Sequence, residues 1–118
     1  MGSKSQRKGR CAELELTRLL QAHGIPAEPG KAVSYGSTPD ITGVPGIHVE
    51  VKRRENVNLS AALAQAAADA ERFRDGVPTV FHRKNREDWR VTMLLNDWLT
   101  LYQAAESGNN QKFLKKGE

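Results

Sequence analysis

The sequence predicts an α/β domain with a central mixed sheet flanked by helices, and three patterns carry that expectation. Residues 47–52, Ile-His-Val-Glu-Val-Lys, alternate apolar and polar, which is the two-residue period of a strand. Residues 8–23 and 58–74 instead repeat their apolar side chains at helical spacing. Residues 77–83 and 89–94 read as two strands around the polar turn 84–88. The resulting order is helix, strand, hairpin, helix, hairpin, helix, and such an order builds a mixed sheet with helices against it.

Each element has a local cause. The first helix is expected from about Lys8 to His23, with Ala12, Leu16, Leu19 and Leu20 on its apolar face. Gly24 stops it and Pro26 prevents its continuation. Residues 25–31 are rich in Pro, Gly and charge and read as a loop; residues 31–35 can form a short strand. Gly36-Ser37-Thr38-Pro39 turns the chain into Asp40. Asn58 or Ser60 can cap the second helix, which presents Leu63, Ala66, Ala67, Ala70 and Phe73 to the sheet and ends near Gly76 and Pro78. Trp89, Val91 and Met93 share one face of the last strand. Asn96 or Asp97 can cap a third helix through Ala105, with Trp98, Leu99 and Tyr102 on its apolar side.

The chemistry concentrates in residues 38–52. Gly43-Val44-Pro45-Gly46 is a strong turn signal, so Asp40-Ile41-Thr42 can fold back on the following strand and bring Asp40 towards Glu50. Alternation sets Glu50 and Lys52 side by side on one surface. Two carboxylates suit a hard cation such as Mg2+, which keeps several waters and takes a few carboxylates with substrate phosphate. A neighbouring lysine can position the attacking water or stabilise the developing charge. Glu13 flanks the buried stripe of the first helix, where a third acid could reach the same place; Glu15 lies on the other flank as a blander charge. His48 shares the Glu50 face, where it could contact metal or phosphate; a bystander on a half-exposed strand is the favoured reading.

Pro39-Asp40 followed by Glu50-Val51-Lys52 resembles the PD-(D/E)xK nuclease signature. Lys8-Gly9-Arg10-Cys11-Ala12-Glu13, running into residues 14–20, resembles the opening of archaeal and phage Holliday junction resolvases, and residues 80–86 with Trp89 and residues 94–99 resemble the later part of phage resolvase-like proteins. The resemblance implies a restriction-endonuclease-like domain over residues 8–107. It implies catalytic roles for Asp40, Glu50, Lys52 and Glu13, with Gln65 in the place of a glutamine often found on the helix after the Glu-x-Lys strand. Asp40, Glu50, Val51 and Glu13 are the residues it expects around Mg2+, for which Mn2+ can substitute. The activity it implies is phosphodiester hydrolysis by a structure-selective endonuclease in DNA recombination and repair.

Composition sets the outer limits. The 118 residues suffice for one domain with a modest core, at 38% apolar and 27% charged. No apolar run is long enough to span a membrane, and the basic start lacks the apolar region of a secretory signal. Cys11 is the single cysteine, so an intrachain disulfide is impossible; a cytoplasmic location is expected. The three histidines, His23, His48 and His82, have no zinc-ligand spacing. Neither a Walker-type phosphate loop nor a nucleophile elbow occurs. The net charge of +4 is unevenly spread. Lys8 and Arg10, Arg53 and Arg54, and Arg83, Lys84 and Arg86 fall in clusters that suit a polyanion. Residues 1–7 and 108–118 are expected to be flexible basic ends.

These features lead to three expectations. The first is a Mg2+-dependent enzyme resolving four-way DNA junctions as a two-fold dimer, with exposed apolar residues such as Trp98 or Phe113 at the interface. The second keeps the chemistry and changes the substrate to flaps, nicks or other branched or duplex DNA. The third is a non-catalytic nucleic-acid-binding module, disfavoured because a pure binder gains little from acids facing phosphate.

Overall fold

Strand alternation puts side chains of residues 47–53 on two faces, and the chain covers both. The computed structural model describes residues 2–30 and 38–108, with side chains from Arg7 onward. In chain order the elements are α1 (Gly2–Ala22), β1 (Glu28–Pro29), β2 (Ile41–Thr42), β3 (Ile47–Arg53), α2 (Leu59–Phe73), β4 (Val77–Arg83), β5 (Arg90–Thr92) and α3 (Leu95–Ser107). The strands form one mixed sheet ordered β1-β2-β3-β4-β5. The β3–β4 pair is parallel, joined by α2 as a crossover requires, and the other three pairs are antiparallel.

On one face Val49, fully buried, packs with Leu16 of α1, Ala27 and Ile41; Ile47, Val51, Phe81 and Trp89 close around them. On the other face Val80 packs against Ala62 and Ala66 of α2. Parallel register sets Glu50 beside Val80 and His48 beside Pro78, so both polar residues belong to the α2 face. The alanines of α2 let its backbone lie close to the sheet. Asn58 caps this helix as expected, its side-chain oxygen accepting from the Ala61 N–H at 3.0 Å. Arg74 ends it in the left-handed region (φ 51°), its N–H donating to the Ala70 carbonyl. The β2–β3 turn needs Gly43: its φ is +80°, and an added Cβ would sit 2.1 Å from the Pro26 carbonyl oxygen.

Several boundaries differ from expectation. Helix α1 begins at Gly2 rather than Lys8, because residues 3–8 carry no proline and include Lys, Gln and Arg, which favour helix. Thr17 takes a buried position on α1 and Leu19 is 42% exposed; the Thr17 hydroxyl donates to the Glu13 carbonyl at 2.6 Å, so its polarity is satisfied inside the helix. The expected loop contains β1, whose Pro29 suits an edge strand because it has no N–H to leave unpaired. The strand expected at 31–35 and the turn residues Gly36 and Ser37 lie outside the described residues, as does residues 109–118 of the basic tail. On α2, Leu63, Ala66, Ala70 and Phe73 are buried or partly buried as expected, while Ala67 is exposed and Ala62 is buried. β5 is confined to Arg90–Thr92, and Val91 is exposed on this outer strand.

Helix α3 starts from Leu94 without a side-chain cap, not from Asn96 or Asp97. None of its residues is buried. Trp98 stacks on Tyr102 at 5.2 Å between ring centroids, but Leu94, Leu95, Trp98 and Leu99 stay exposed. No helix among the described residues is long and apolar enough to cross a membrane.

Candidate functional site

Pairing of Ile41 with Val49 in the β2–β3 hairpin sets Asp40 across from Glu50. Asp40 is anchored there: its Oδ2 accepts from the Val51 N–H at 2.9 Å. Val51 has an apolar side chain, so all it could offer an ion is its backbone carbonyl oxygen. Glu50 is 5% exposed. Its Oε2 lies 3.6 Å from the Lys52 ammonium and its Oε1 lies 3.5 Å from His48 Nε2. Lys52 Nζ also donates to Gln65 Oε1 at 3.1 Å. The glutamine of α2 therefore holds the lysine of β3 in place.

Glu13 reaches the same cluster from α1. Burial and then the negative charge of Asp40 push its carboxyl up to about 7, with Glu50 adding to the rise and the Arg10 guanidinium opposing it. Asp40 is pushed up to about 6 by burial and by Glu50, against the Val51 hydrogen bond and the Lys52 charge. Three carboxylates thus share a site in which Glu50 disfavours the charge of Asp40 and both disfavour that of Glu13. A cation among them would relieve that repulsion.

The sign of the pH effect follows from these two values. Both groups bind protons more tightly folded than unfolded, so the stability they contribute is fully present below their ordinary values near 4 and is lost as pH rises through about 6 and 7. The protons leave the cluster as a coupled set. With chelator present, Glu13→Gln is expected to raise stability at pH 8 by about 2 kcal/mol and to change it little at pH 4. Thermal melts of both chains across this range measure the effect; equal melting temperatures at pH 8 would contradict it.

The basic residues divide into two sets. Arg10 donates to the Gly30 carbonyl at 2.6 Å and lies 3.5 Å from Glu13, tying α1 to the loop beside Asp40. Arg83 is gripped by both oxygens of Glu15, at 2.9 and 3.0 Å, and Glu15 also accepts from the Trp89 indole at 2.8 Å. Glu15 is therefore a structural anchor between α1 and β4, and its carboxyl is held below the usual range by the Arg83 hydrogen bond. Arg53 is half-buried between Glu55 and Asn85. Lys8, Arg54, Lys84 and Arg86 are exposed. Arg54 and Lys84 line a cleft of about 300 Å³ with His82 and Arg90, and Glu55 and Glu87 share its rim.

Two residues, Asp69 and Asp75, have no role in the sequence analysis, and a third, His48, is placed differently from expectation. His48 is not half-exposed but 1% exposed. Its Nδ1 lies 2.9 Å from both oxygens of Asp75, which follows α2, and its ring stacks near Phe73. Asp69 stands on α2 near His48 and Glu50. Its signal was available, since Asp69 follows Gln65 by four residues and so shares its helix face. The Asp75 contact, 27 residues away in sequence, had no signal. Searches against family models, curated proteins and solved structures found no match to this chain.

Proposed function

We propose that this chain is a metal-dependent DNA endonuclease of the PD-(D/E)xK kind, with a restriction-endonuclease-like fold, acting on branched DNA and foremost on four-way junctions. The observation that carries the reading is the repulsive group of Asp40, Glu50 and Glu13 beside a lysine held by Gln65. Hard oxygen donors of this type fit Mg2+ or Mn2+. Asp40 and Glu50 would hold the ion, with Glu13 and the Val51 carbonyl completing the set. When bound, the ion lowers the pKa of a water and neutralises charge on the scissile phosphate.

The chain's own groups supply the rest. Lys52, beside Glu50, would orient the attacking water or stabilise the charge that develops. Gln65 limits the freedom of its ammonium. Hydrolysis in line would leave a 5′-phosphate and a 3′-hydroxyl. Exposed Lys8, Arg54, Lys84 and Arg86 would meet the DNA backbone, whereas Arg10, Arg53 and Arg83 already have internal partners. Symmetric cutting of a junction calls for two sites, and the apolar exposed surface of Leu94, Leu95, Trp98 and Leu99 suits a two-fold partner. Phe113, the other interface residue expected, lies outside the described residues.

A cleavage assay on four-way, flapped, nicked, linear and single-stranded DNA tests this directly. Four-way junctions should be cut fastest, only with Mg2+ or Mn2+ present, and binding should weaken steeply with salt. Preferred cutting of flaps or nicks would retain the chemistry and change the substrate. Binding without cleavage of any substrate would favour a non-catalytic module, and a flat salt response would count against a DNA partner.

A further inference from the structure

On the α2 face of β3, His48, Glu50 and Asp69 each place a metal-ligating atom within 4.8 Å of the other two. The imidazole is oriented rather than adventitious. Asp75 occupies its Nδ1 at 2.9 Å, which commits that nitrogen to donating its proton. The other nitrogen, Nε2, is fully enclosed and has no hydrogen-bond partner. It lies 3.5 Å from Glu50 Oε1 with no hydrogen bond between them. An orphaned polar atom in a 1% exposed side chain costs free energy unless something pairs with it.

We propose that His48 Nε2, Glu50 and Asp69 form a binding site for a transition-metal dication of the Zn2+ type, with Asp75 as the carboxylate that orients the histidine. The arrangement carboxylate–imidazole–ligand position is the one metal-binding histidines commonly adopt: the second carboxylate fixes the tautomer and strengthens the free nitrogen as a donor. Three protein ligands leave a further position for water in a four-coordinate site. Asp69 is half-buried, the least enclosed of the three. One nitrogen with two carboxylates suits Zn2+ better than Mg2+, which prefers oxygen alone.

This site goes beyond the nuclease reading and shares only Glu50 with it. Glu50 can serve both, because Oε1 faces His48 while Oε2 faces Lys52. The competing arrangement needs no ion: a protonated His48 clamped between Asp75 and Glu50 as a plain charge network.

Calorimetric titration of the full chain with Zn2+ in millimolar Mg2+ tests the proposal. One Zn2+ should bind per chain, and Asp69→Asn should weaken it by about 10-fold or more while Asp40→Asn leaves it nearly unchanged. Circular dichroism confirms that the variants remain folded. In the wild-type chain the His48 Nε2 resonance, and not Nδ1, should move sharply when Zn2+ is added. Absence of Zn2+ binding, an unmoved Nε2, or an affinity that depends on Asp40 and not on Asp69 would each overturn the site. Mg2+-dependent cleavage is read separately on wild-type protein, so loss of the nuclease reading and loss of this one give different results.

Discussion

Asp40→Asn is expected to lose Mg2+-dependent cleavage of a four-way junction by on the order of 10³-fold, the scale on which loss of one interaction with developing charge falls. The fold should survive. Asparagine can keep its side-chain oxygen on the Val51 N–H that Asp40 now engages at 2.9 Å. Removing one of three mutually repelling carboxylates should also raise metal-free stability at neutral pH, since Asp40 ionises there against burial and the charge of Glu50. Junction binding without metal should be equal or tighter, because one negative charge facing phosphate is gone. Lys52→Ala separates chemistry from binding: it should slow single-turnover cleavage more than it weakens affinity. An Asp40→Asn chain that cuts at the wild-type rate would remove Asp40 from the site. Equal losses in rate and affinity for Lys52→Ala would reduce the lysine to a phosphate contact.

The second large effect is on folding. Gly76 leads from α2 into β4 at φ +134°, a conformation that L side chains rarely adopt. A Cβ there would sit 2.4 Å from the Gly46 carbonyl carbon and 2.5 Å from the Ile47 nitrogen. These are backbone atoms at the start of β3, and they cannot swing aside. The Val77 N–H donates to the Gly46 carbonyl at 2.9 Å, so any shift also breaks the first link between the parallel strands. Gly76→Ala should therefore cost on the order of 4 kcal/mol, combining backbone strain and a lost hydrogen bond. Denaturant unfolding measures it. A loss below about 1 kcal/mol, the ordinary scale of surface changes, would mean the crossover tolerates a side chain. His48 and Asp75 flank this junction, so the same variant should disturb the imidazole pair.

Much of the hairpin was legible because local signals agree there. The Gly43–Gly46 turn, the alternation in β3 and the Asn58 cap each act within a few residues, and pairing of Ile41 with Val49 follows from them. Gln65 was legible as a position on a helix, and its contact with Lys52 fits that placement. The start of α1 lies earlier than expected because its first residues, though they favour helix, carry no apolar periodicity and no punctuation to mark a boundary. On α2 only one position differs, Ala62 being buried in place of Ala67, because alanines on neighbouring faces look alike. Leu19 and Thr17 exchanged roles because a threonine can satisfy its hydroxyl on its own helix.

By itself the sequence determined the three helices, the strands from β2 onward, the β2–β3 hairpin and the nearness of Asp40, Glu50 and Lys52, since periodicity and turn chemistry are local properties. Only the tertiary structure decided which face of β3 each helix covers. That choice buried His48 and Glu50 beneath α2, brought Asp69 and Asp75 to them, and turned Glu15 into the anchor of Arg83 and Trp89. The physical reason is that these contacts join residues far apart in the chain, and they arise from close packing of two layers whose mutual fit no single segment encodes.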